Sequence, residues 1–427
     1  MIKILSCTNA GEVGDLLRRE SAPAQNVDTI VADIIADVRQ NGDKAVLAYT
    51  KKFDGADLTS LLVTPEEIEV AYARTDPDFI AILEQAAANI RAYHEKQRQT
   101  GFVMTEQPGV VLGQRVIPLD KVGIYVPGGT ASYPSTVLMD AIPAKIAGVG
   151  LIVMTTPPGR DGNIPDDILA AAKVAGVDCI VKAGGAQAIA ALSVGTQSVP
   201  KVDKIVGPGN IFVATAKRMV YGLVDIDMIA GPSEILIIAD ESANPGHVAM
   251  DLLSQAEHDK LAASFLVTTS QDFAQRVQTK VTEFVEKLPR QEIATHSIDN
   301  NGAIIVTDTL ETAAAISNEI APEHLEICTE EPFALLPLIK HAGSVFLGHY
   351  APEALGDYFA GPNHTLPTSG TARFSSPLSV DDYIKKSSFL YYEKAALEKV
   401  YEQVDTFARR EGLDAHANSV SIRFKAD

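Results

Sequence analysis

The chain has 427 residues, of which 46% are hydrophobic and 21% are charged, and its formal net charge is −19. This length exceeds what one hydrophobic core usually supports, so two or more domains are expected. The negative charge argues against nucleic acid or an anionic membrane as a partner. The sequence has no apolar run long enough to cross a bilayer and no apolar core typical of a signal peptide, so no membrane segment is expected.

The cysteines Cys7, Cys179 and Cys328 lie far apart and form no paired motif. We therefore expect a reducing, cytoplasmic location. Without neighbouring thiols, any metal site must be built from histidine, carboxylate and amide ligands.

The first hundred residues are predicted to be mostly helical. Apolar residues recur at helical spacing between Val27 and Val38, and Asn41-Gly42 marks the end of that helix. Thr64-Pro65-Glu66-Glu67 has the pattern of a capping box with proline at the first helical position. A third helix is expected over about 76–99. We interpret this region as scaffold.

From about Val116 onwards, short apolar runs alternate with glycine turns and helical patterns. This alternation predicts an α/β protein with largely parallel sheets, and the number of runs predicts at least two of them. The predicted strands are 122–126, 151–155, 179–182, 204–206, 235–239, 264–268, 303–306 and 344–347.

After about Arg373 the sequence becomes polar and rich in tyrosine. Residues 379–410 are predicted to be helical with few core positions, and 420–423 are predicted to form a strand. Because so polar a segment cannot form its own core, we expect it to pack against another domain or another subunit.

Three glycine-rich turns follow predicted strands, each before a helical pattern: Tyr125-Val-Pro-Gly-Gly-Thr, Ala183-Gly-Gly-Ala-Gln-Ala-Ile-Ala and Gly207-Pro-Gly-Asn-Ile-Phe-Val-Ala. Backbone N–H groups at such turns could bind an anion or a ribose. None of the turns is the dinucleotide fingerprint, and tight turns alone also require glycine. Three of them in neighbouring strand–helix units favour a nucleotide-binding crevice.

The segment 251–258, Asp-Leu-Leu-Ser-Gln-Ala-Glu-His, closes a predicted helix that starts after Pro245. Gln255 and His258 are three residues apart, so we expect their side chains to lie together at the end of the helix. The two could begin a metal site, although a histidine at a helix end more often only caps it.

Two further residues could complete a metal site. Asp357 lies in a glycine- and proline-rich stretch, 356–367, that is predicted to be a loop, and His416 lies in the tail. Two nitrogen and two oxygen donors suit Zn²⁺ with room for a substrate. Their separation along the chain neither supports nor excludes a common site.

Glu323 and His324 form a candidate acid–base pair at the entry to a strand, in Ala321-Pro-Glu-His-Leu-Glu. Adjacent residues of a regular strand point to opposite faces, so the two converge only if the backbone bends, which Pro322 makes plausible. Ser233, in Gly231-Pro-Ser-Glu, is expected at a turn that faces a cleft, although a turn serine often only caps backbone.

With these motifs, the sequence resembles the histidinol dehydrogenase family over nearly its whole length. The resemblance rests on Tyr-Val-Pro-Gly-Gly, Gly-Gly-Ala-Gln-Ala-Ile-Ala, Gly-Pro-Gly-Asn, Ala-Gly-Pro-Ser-Glu, Leu-Leu-Ser-Gln-Ala-Glu-His, Ala-Pro-Glu-His-Leu, Gly-Ser-Val-Phe-Leu-Gly and Asn-His-Thr-Leu-Pro-Thr. It implies a zinc- and NAD-dependent enzyme that oxidises L-histidinol to L-histidine through L-histidinal with two NAD⁺, the last step of histidine biosynthesis.

The resemblance also implies a role for each matching residue. The zinc ligands would be Gln255, His258, Asp357 and His416, the acid–base pair Glu323 and His324, and the nucleotide contacts Tyr125, Gln187 and Asn210. Substrate would contact the zinc ligands together with Ser233, His324, His364 and Glu411. One zinc ion per subunit is expected, in a homodimer whose tail completes the partner's site.

The implied fold is α/β, with two Rossmann-like domains related to aldehyde dehydrogenases. We expect a helical N-terminal arm at 1–20, a first domain at 21–127 and 236–373 that carries the metal and catalytic residues, a nucleotide-binding second domain at 128–235, and a dimer-exchange tail at 374–427.

The residues alone leave other functions open. A zinc hydrolase could use the same ligands, with Glu323 activating water, but the glycine turns and the lack of an HExxH-type motif count against it. Zinc could also be a structural staple in a dimeric binding protein, or the substrate could be another polar alcohol.

The cysteines bear on the mechanism, because oxidation through a thiohemiacetal needs a nucleophilic thiol. Cys328 is the one nearest the candidate site in sequence, and in a continued strand it would be a small core residue. We therefore predict that the second oxidation uses water.

Overall fold

The structure is a computed structural model that describes residues 1–7, 9–15, 24–128 and 132–424. It contains two compact units: the first comprises Met1–Gln97 with Leu119–Tyr383, and the second comprises Arg98–Pro118 with Ile384–Asp427. No helix within the described ranges is long and apolar enough to cross a membrane.

The described residues form strands and helices that alternate over most of the chain. The strands are β1 (Lys3–Ser6), β2 (Phe102–Met104), β3 (Val110–Pro118), β4 (Lys121–Tyr125), β5 (Leu151–Thr156), β6 (Cys179–Lys182), β7 (Lys204–Val206), β8 (Asp225–Ile226), β9 (Glu234–Ala239), β10 (Ala263–Thr268), β11 (Ala303–Val306), β12 (His324–Cys328), β13 (Ser344–Leu347) and β14 (Ile384–Tyr392). The helices are α1 (Ala24–Asn41), α2 (Asp43–Phe53), α3 (Pro65–Arg74), α4 (Pro77–His94), α5 (Pro134–Ala147), α6 (Asp166–Ala175), α7 (Gly185–Val194), α8 (Ile211–Val220), α9 (Pro245–Ala256), α10 (Gln271–Val285), α11 (Gln291–Asn301), α12 (Leu310–Ile320), α13 (Pro332–Leu335), α14 (Glu353–Leu355), α15 (Lys394–Glu398), α16 (Tyr401–Arg410) and α17 (Asp414–Ser421).

The first unit contains two parallel sheets. One has six strands in the order β1-β11-β10-β9-β12-β13, and the other has five in the order β6-β5-β4-β7-β8. Hydrophobic clusters cover both faces of each sheet, with α9, α10 and α11 opposite α12 on the first and α4, α5 and α6 opposite α1, α7 and α8 on the second. Burial on both faces explains why the strands have near-continuous apolar sequences. The predicted α/β class with parallel sheets is confirmed.

The bounds of the eight strands predicted between 122 and 347 agree with the structure to within one residue, and the capping box at Thr64 and Glu67 is formed. The N-terminal arm differs from the helical expectation, because it begins with β1, which pairs with β11. The strand β4 lies in the middle of the five-stranded sheet, and the helices α1, α3 and α4 pack beside that sheet. The division of the first unit into the two expected domains stays a prediction.

The second unit is an antiparallel sheet in the order β14-β3-β2, together with α15, α16 and α17. The prediction of helix throughout 379–410 was wrong, because 384–392 pairs as a strand with β3 over its whole length. The predicted strand at 420–423 was also wrong, since α17 runs to Ser421. Leu390 is 73% exposed, Phe407 69% and Ile422 68%, so the expected shortage of core positions is confirmed for the described part of this unit.

Candidate active site and metal centre

Gln255 and His258 lie at the end of α9, which Asn244 caps and Pro245 opens. Gln255 is in the last turn of the helix and is buried, whereas His258 lies in the turn beyond it and donates its backbone N–H to the carbonyl oxygen of Gln255 at 3.2 Å. The expectation that both lie on the helix was therefore wrong by one turn. Burial lowers the pKa of His258, and the negative charge of Asp357 opposes that shift.

The backbone bends where β12 begins. Ala321 ends α12 in the left-handed conformation, with φ of 51°, which is uncommon for a residue other than glycine. After this bend, Nδ1 of His324 lies 3.7 Å from Oε2 of Glu323. Both side chains also contact the first residue of β9: the N–H of Glu234 donates to Glu323 Oε2 at 2.9 Å, and the carbonyl oxygen of Glu234 lies 3.1 Å from His324 Nδ1. The convergence that the sequence left open is observed.

The electrostatic environment differs for the two members of this pair. Burial raises the pKa of Glu323 to about 7, and the neighbouring His324 opposes the shift. Burial lowers the pKa of His324, but the carboxylates of Glu353, Glu323 and Asp357 outweigh it and raise that pKa well above its usual value. Both pKa values therefore lie above their usual values, that of Glu323 because of burial and that of His324 because the surrounding carboxylates outweigh burial.

Asp357 lies in a π-helical turn, Gly356–Ala360, that follows α14 directly. The predicted loop over 356–367 was wrong in this first part. The turn is compact because Gly356 packs against Phe346, where an added Cβ would approach the ring to 2.5 Å. Oδ1 of Asp357 lies 3.6 Å from Nε2 of His324. Burial by itself would raise the pKa of Asp357, but the contact with His324 outweighs that effect, so the pKa of Asp357 is lowered overall.

His364 faces the same centre from the segment after the π-helical turn. Its Nδ1 lies 3.0 Å from the carbonyl oxygen of Asp357, and its Nε2 lies 3.3 Å from the hydroxyl of Thr136. Burial lowers its pKa, and the charge of Asp357 opposes the shift. The imidazole is thus held at both nitrogens.

Glu353 is a site residue that the sequence analysis missed. It is buried at the start of α14, and ligand atoms of Glu353, His324 and Asp357 all lie within 4.8 Å of one another. Burial raises the pKa of Glu353 to about 8, an effect that His324 opposes. A lone glutamate after Pro352 carries no signal in the sequence, and only its proximity to His324 marks it.

The donors at this centre fit a divalent cation. Nε2 of His324 is buried without a hydrogen-bond partner among the described residues. The carboxylate of Asp357 and the imidazole of His258 interact electrostatically, and the buried amide of Gln255 contacts Glu353, whose carboxylate lies near Asp357. Imidazole, carboxylate and amide oxygen are ligands that zinc accepts. His416 and Glu411 belong to the second unit, where both are exposed, so their place in the site stays a prediction.

The three predicted nucleotide contacts lie at the carboxyl edge of the five-stranded sheet. Tyr125 ends β4, and its hydroxyl accepts a hydrogen bond of 3.0 Å from the N–H of Gly185. Gln187 is buried in the first turn of α7, and its Oε1 has no hydrogen-bond partner within the described ranges. Asn210 follows β7 and caps α8 by accepting from two backbone N–H groups. In open α/β sheets this edge is where nucleotides bind. Gly129 and Thr130, from the first glycine turn, lie outside the described residues.

A buried ion pair supports the Gly207 turn. Lys217 pairs with Asp227 and donates to the carbonyl oxygen of Gly207 at 2.8 Å, while the N–H of Gly207 donates to Asp227 at 2.8 Å. Gly207 has φ of 108°, and an added Cβ would meet the carbonyl oxygen of Tyr125 at 2.3 Å. The turn thus depends on both glycine and the ion pair.

A small cavity of about 50 Å³ is lined by Pro208, which follows Gly207, and by Ser233, Glu323 and His364. Ser233 lies in the turn before β9, as predicted. A larger surface groove of about 670 Å³ is lined by residues of α3, α4 and α6 and contains none of the candidate residues. We therefore assign the chemistry to the smaller cavity.

These features are those of an α/β enzyme of the dehydrogenase type, with a buried candidate acid–base pair beside a candidate metal centre and a sheet edge of the kind that binds nucleotides in such folds. The crystal structure of aldehyde dehydrogenase 21 from Physcomitrella patens shares this fold with a TM-score of 0.50 and 11% identity, over 92% of this chain and 95% of that one.

The histidinol dehydrogenase family model matches residues 17–424. Histidinol dehydrogenase from Clostridium acetobutylicum is 58% identical over 95% of each chain, and that from Syntrophotalea carbinolica is 56% identical over 100% of each. The crystal structure of histidinol dehydrogenase from Elizabethkingia anophelis superposes with a TM-score of 0.94 and 40% identity, over 99% of this chain and 98% of that one. The chain belongs to the histidinol dehydrogenase family, a family of oxidoreductases that catalyse the final step of histidine biosynthesis.

Proposed function

We propose that this chain oxidises L-histidinol to L-histidine through L-histidinal, with two NAD⁺ and one zinc ion per subunit. The observation that carries the proposal is the convergence of Glu323 and His324 beside Asp357, in a chain of the histidinol dehydrogenase family. We further propose a cytoplasmic location, which suits a chain with no paired cysteine motif.

Gln255, His258, Asp357 and His416 would hold the metal. When bound, zinc would supply a positive template that orients the amine and imidazole of the substrate. The carboxylates around His324 raise its pKa. Positive charge next to Asp357 would oppose this effect and favour the neutral imidazole that a base requires. Ser233, His364 and Glu411 would contact the substrate around this centre.

His324 would act as the base of the first oxidation. Its Nδ1 faces the carbonyl oxygen of Glu234 and therefore carries the proton, which leaves Nε2 with a lone pair. Nε2 would remove the alcohol proton as a hydride leaves the carbinol carbon for NAD⁺. Tyr125, Gln187 and Asn210 would position the nucleotide at the neighbouring sheet edge.

Glu323 would act in the second oxidation. Loss of hydride from the free aldehyde would leave an acylium ion, so the aldehyde must first be hydrated, and Glu323 would take a proton from water as the water oxygen adds to the carbonyl carbon. His324 would then remove a hydroxyl proton from the hydrate as the second hydride leaves. Cys328 is a poor thiol nucleophile here, because burial raises its pKa far above the usual value.

The first experiment measures NADH formed per L-histidinol consumed, before and after chelation and after zinc is restored. Two NADH per substrate, lost with the chelator and regained with zinc, would support the proposal. One NADH per substrate would mean that the aldehyde escapes and would contradict the role of Glu323. A folded, metal-loaded protein that forms no NADH would overturn the proposed substrate.

We also propose a homodimer in which the tail of each subunit completes the partner's site. Mixed dimers of a Glu323→Gln subunit and a His416→Ala subunit test this arrangement. If His416 acts on the partner's site, each mixed dimer contains one intact site and regains the oxidation of histidinal, which both parents lack. If His416 acts within its own subunit, both sites stay defective and no activity returns.

A further inference from the structure

The Glu353 carboxyl is buried next to two residues of the proposed site. Its side chain is 3% exposed, and one carboxylate oxygen lies 3.9 Å from Nδ1 of His324. Its backbone N–H donates to Glu326 at 2.8 Å, which fixes the start of α14. The carboxyl therefore lies in a defined position between α9 and β12.

The amide of Gln255 has a favourable orientation against this carboxyl. With its nitrogen toward Glu353, the amide donates to the two carboxylate oxygens at 3.0 and 2.5 Å. The opposite orientation would set the amide oxygen against a carboxylate, acceptor against acceptor. A protonated carboxyl keeps its carbonyl oxygen as an acceptor, so the amide nitrogen can donate to Glu353 in either charge state.

We propose that Glu353 is a positioning residue that orients the amide of Gln255. By binding the amide nitrogen, Glu353 turns the amide oxygen to the other side of the group, where it is available to the metal. Residues behind a metal ligand commonly set its orientation in this way. The inference rests on the proposed function, because it assumes that Gln255 is a metal ligand.

A competing role for Glu353 is that of a ligand together with His324 and Asp357, since the ligand atoms of all three are close. Two contacts favour the positioning role. Both carboxylate oxygens of Glu353 are within reach of the Gln255 amide nitrogen. Nδ1, the His324 nitrogen that lies near Glu353, also faces the carbonyl oxygen of Glu234, so it carries a proton rather than a lone pair.

Zinc affinity in a double-mutant cycle separates the two roles. Purified dimers of wild type, Glu353→Ala, Gln255→Ala and the double variant would be titrated with zinc against a competing chelator, and bound metal would be measured by elemental mass spectrometry. If Glu353 acts through Gln255, each single change weakens zinc binding about 10- to 100-fold, and the double variant binds no more weakly than Gln255→Ala. Losses that multiply in the double variant would overturn the proposal and indicate an independent ligand.

Glu353→Gln keeps an acceptor for the amide nitrogen, so its zinc affinity should stay within about tenfold of that of the wild type. This variant replaces Glu353→Ala in the titration if Glu353→Ala does not fold. The exposed Glu330→Ala is the control and should leave zinc affinity unchanged. A wild-type dimer that binds no zinc would instead contradict the proposed function. A zinc-binding wild type whose affinity is unaltered by Glu353→Ala would overturn this inference alone.

Discussion

The Nδ1 atom of His324 lies 3.1 Å from the carbonyl oxygen of Glu234, the first residue of the neighbouring strand β9. The N–H of the same residue donates to Glu323. One peptide segment therefore orients both members of the proposed acid–base pair, at the amino ends of β9 and β12. Because both contacts involve backbone, a substitution of the Glu234 side chain would leave them in place.

Replacement of Glu323 with glutamine should impair the second oxidation more than the first. Glutamine keeps an acceptor for the Glu234 N–H but cannot take a proton from water, so oxidation of histidinal should slow by about 10²- to 10⁴-fold. NADH formed per histidinol should fall from two toward one, with histidinal released. In the wild type, the rate from histidinal should rise with pH through about 7, where the Glu323 carboxyl ionises. An unchanged stoichiometry in the variant would contradict the assigned role.

Replacement of Cys328 with serine should preserve the activity. The thiol is buried at the end of β12, and burial, reinforced by Glu326, keeps its pKa far above the range in which a thiolate forms. The rates of both oxidations in Cys328→Ser should therefore stay within about tenfold of those of the wild type. This effect is small compared with the loss of rate, about 10²- to 10⁴-fold, expected when an acid–base group is removed. Retention of less than about a hundredth of the activity would instead indicate a covalent thiohemiacetal.

Replacement of Lys217 with methionine should destabilise the fold and the nucleotide edge together. Lys217 and Asp227 are 2% and 1% exposed, so removing the cation leaves a buried carboxylate unpaired, which costs about 3–5 kcal/mol. Denaturant unfolding measures this loss, and the KM for NAD⁺ should rise because the Gly207 turn loses its support.

Two variants make the Lys217 experiment specific. Lys217→Met/Asp227→Asn removes the unpaired charge and should recover part of the lost stability. Lys260→Met breaks an exposed ion pair with Glu292, which solvent screens, so it should cost far less stability than Lys217→Met. Equal losses for the Lys217 and Lys260 single variants would contradict the buried-pair explanation.

Replacement of Asp140 with asparagine should change the dependence of stability on pH. Burial, reinforced by the charge of Asp227, raises the pKa of Asp140 well above its usual value. The folded state therefore binds more protons than the unfolded state once the pH exceeds about 4, and its stability falls as the pH rises, by up to about 1.4 kcal/mol per pH unit for one group.

Asparagine resembles the protonated carboxyl and can still accept from the hydroxyl of Thr365. The free energy of unfolding of Asp140→Asn, relative to that of the wild type, should therefore increase as the pH rises from about 4 to about 7. Denaturant unfolding at each pH measures this difference. Parallel profiles for the two proteins would show that Asp140 is ionised in the folded state.

Within the site, the sequence indicated some neighbours and missed others. Tyr125, Gln187 and Asn210 follow strands of one parallel sheet, so their common edge follows from the alternation of strands and helices. The approach of Glu323 to His324 depends instead on the left-handed backbone of Ala321, a conformation that the alanine side chain does not favour. Glu353 was missed because its significance comes from His324 and Gln255, which lie far away in the chain.

The sequence by itself determined the elements whose causes are short-range. Strand positions, the end of α1 and the capping box at Thr64 follow from apolar periodicity and from side chains within a few residues. Tertiary structure alone decided the pairing of β14 with β3, the Lys217–Asp227 ion pair and the neighbours of His324. These contacts join residues far apart in the chain, so they form only when the packed sheets and helices offset the entropy of bringing those residues together.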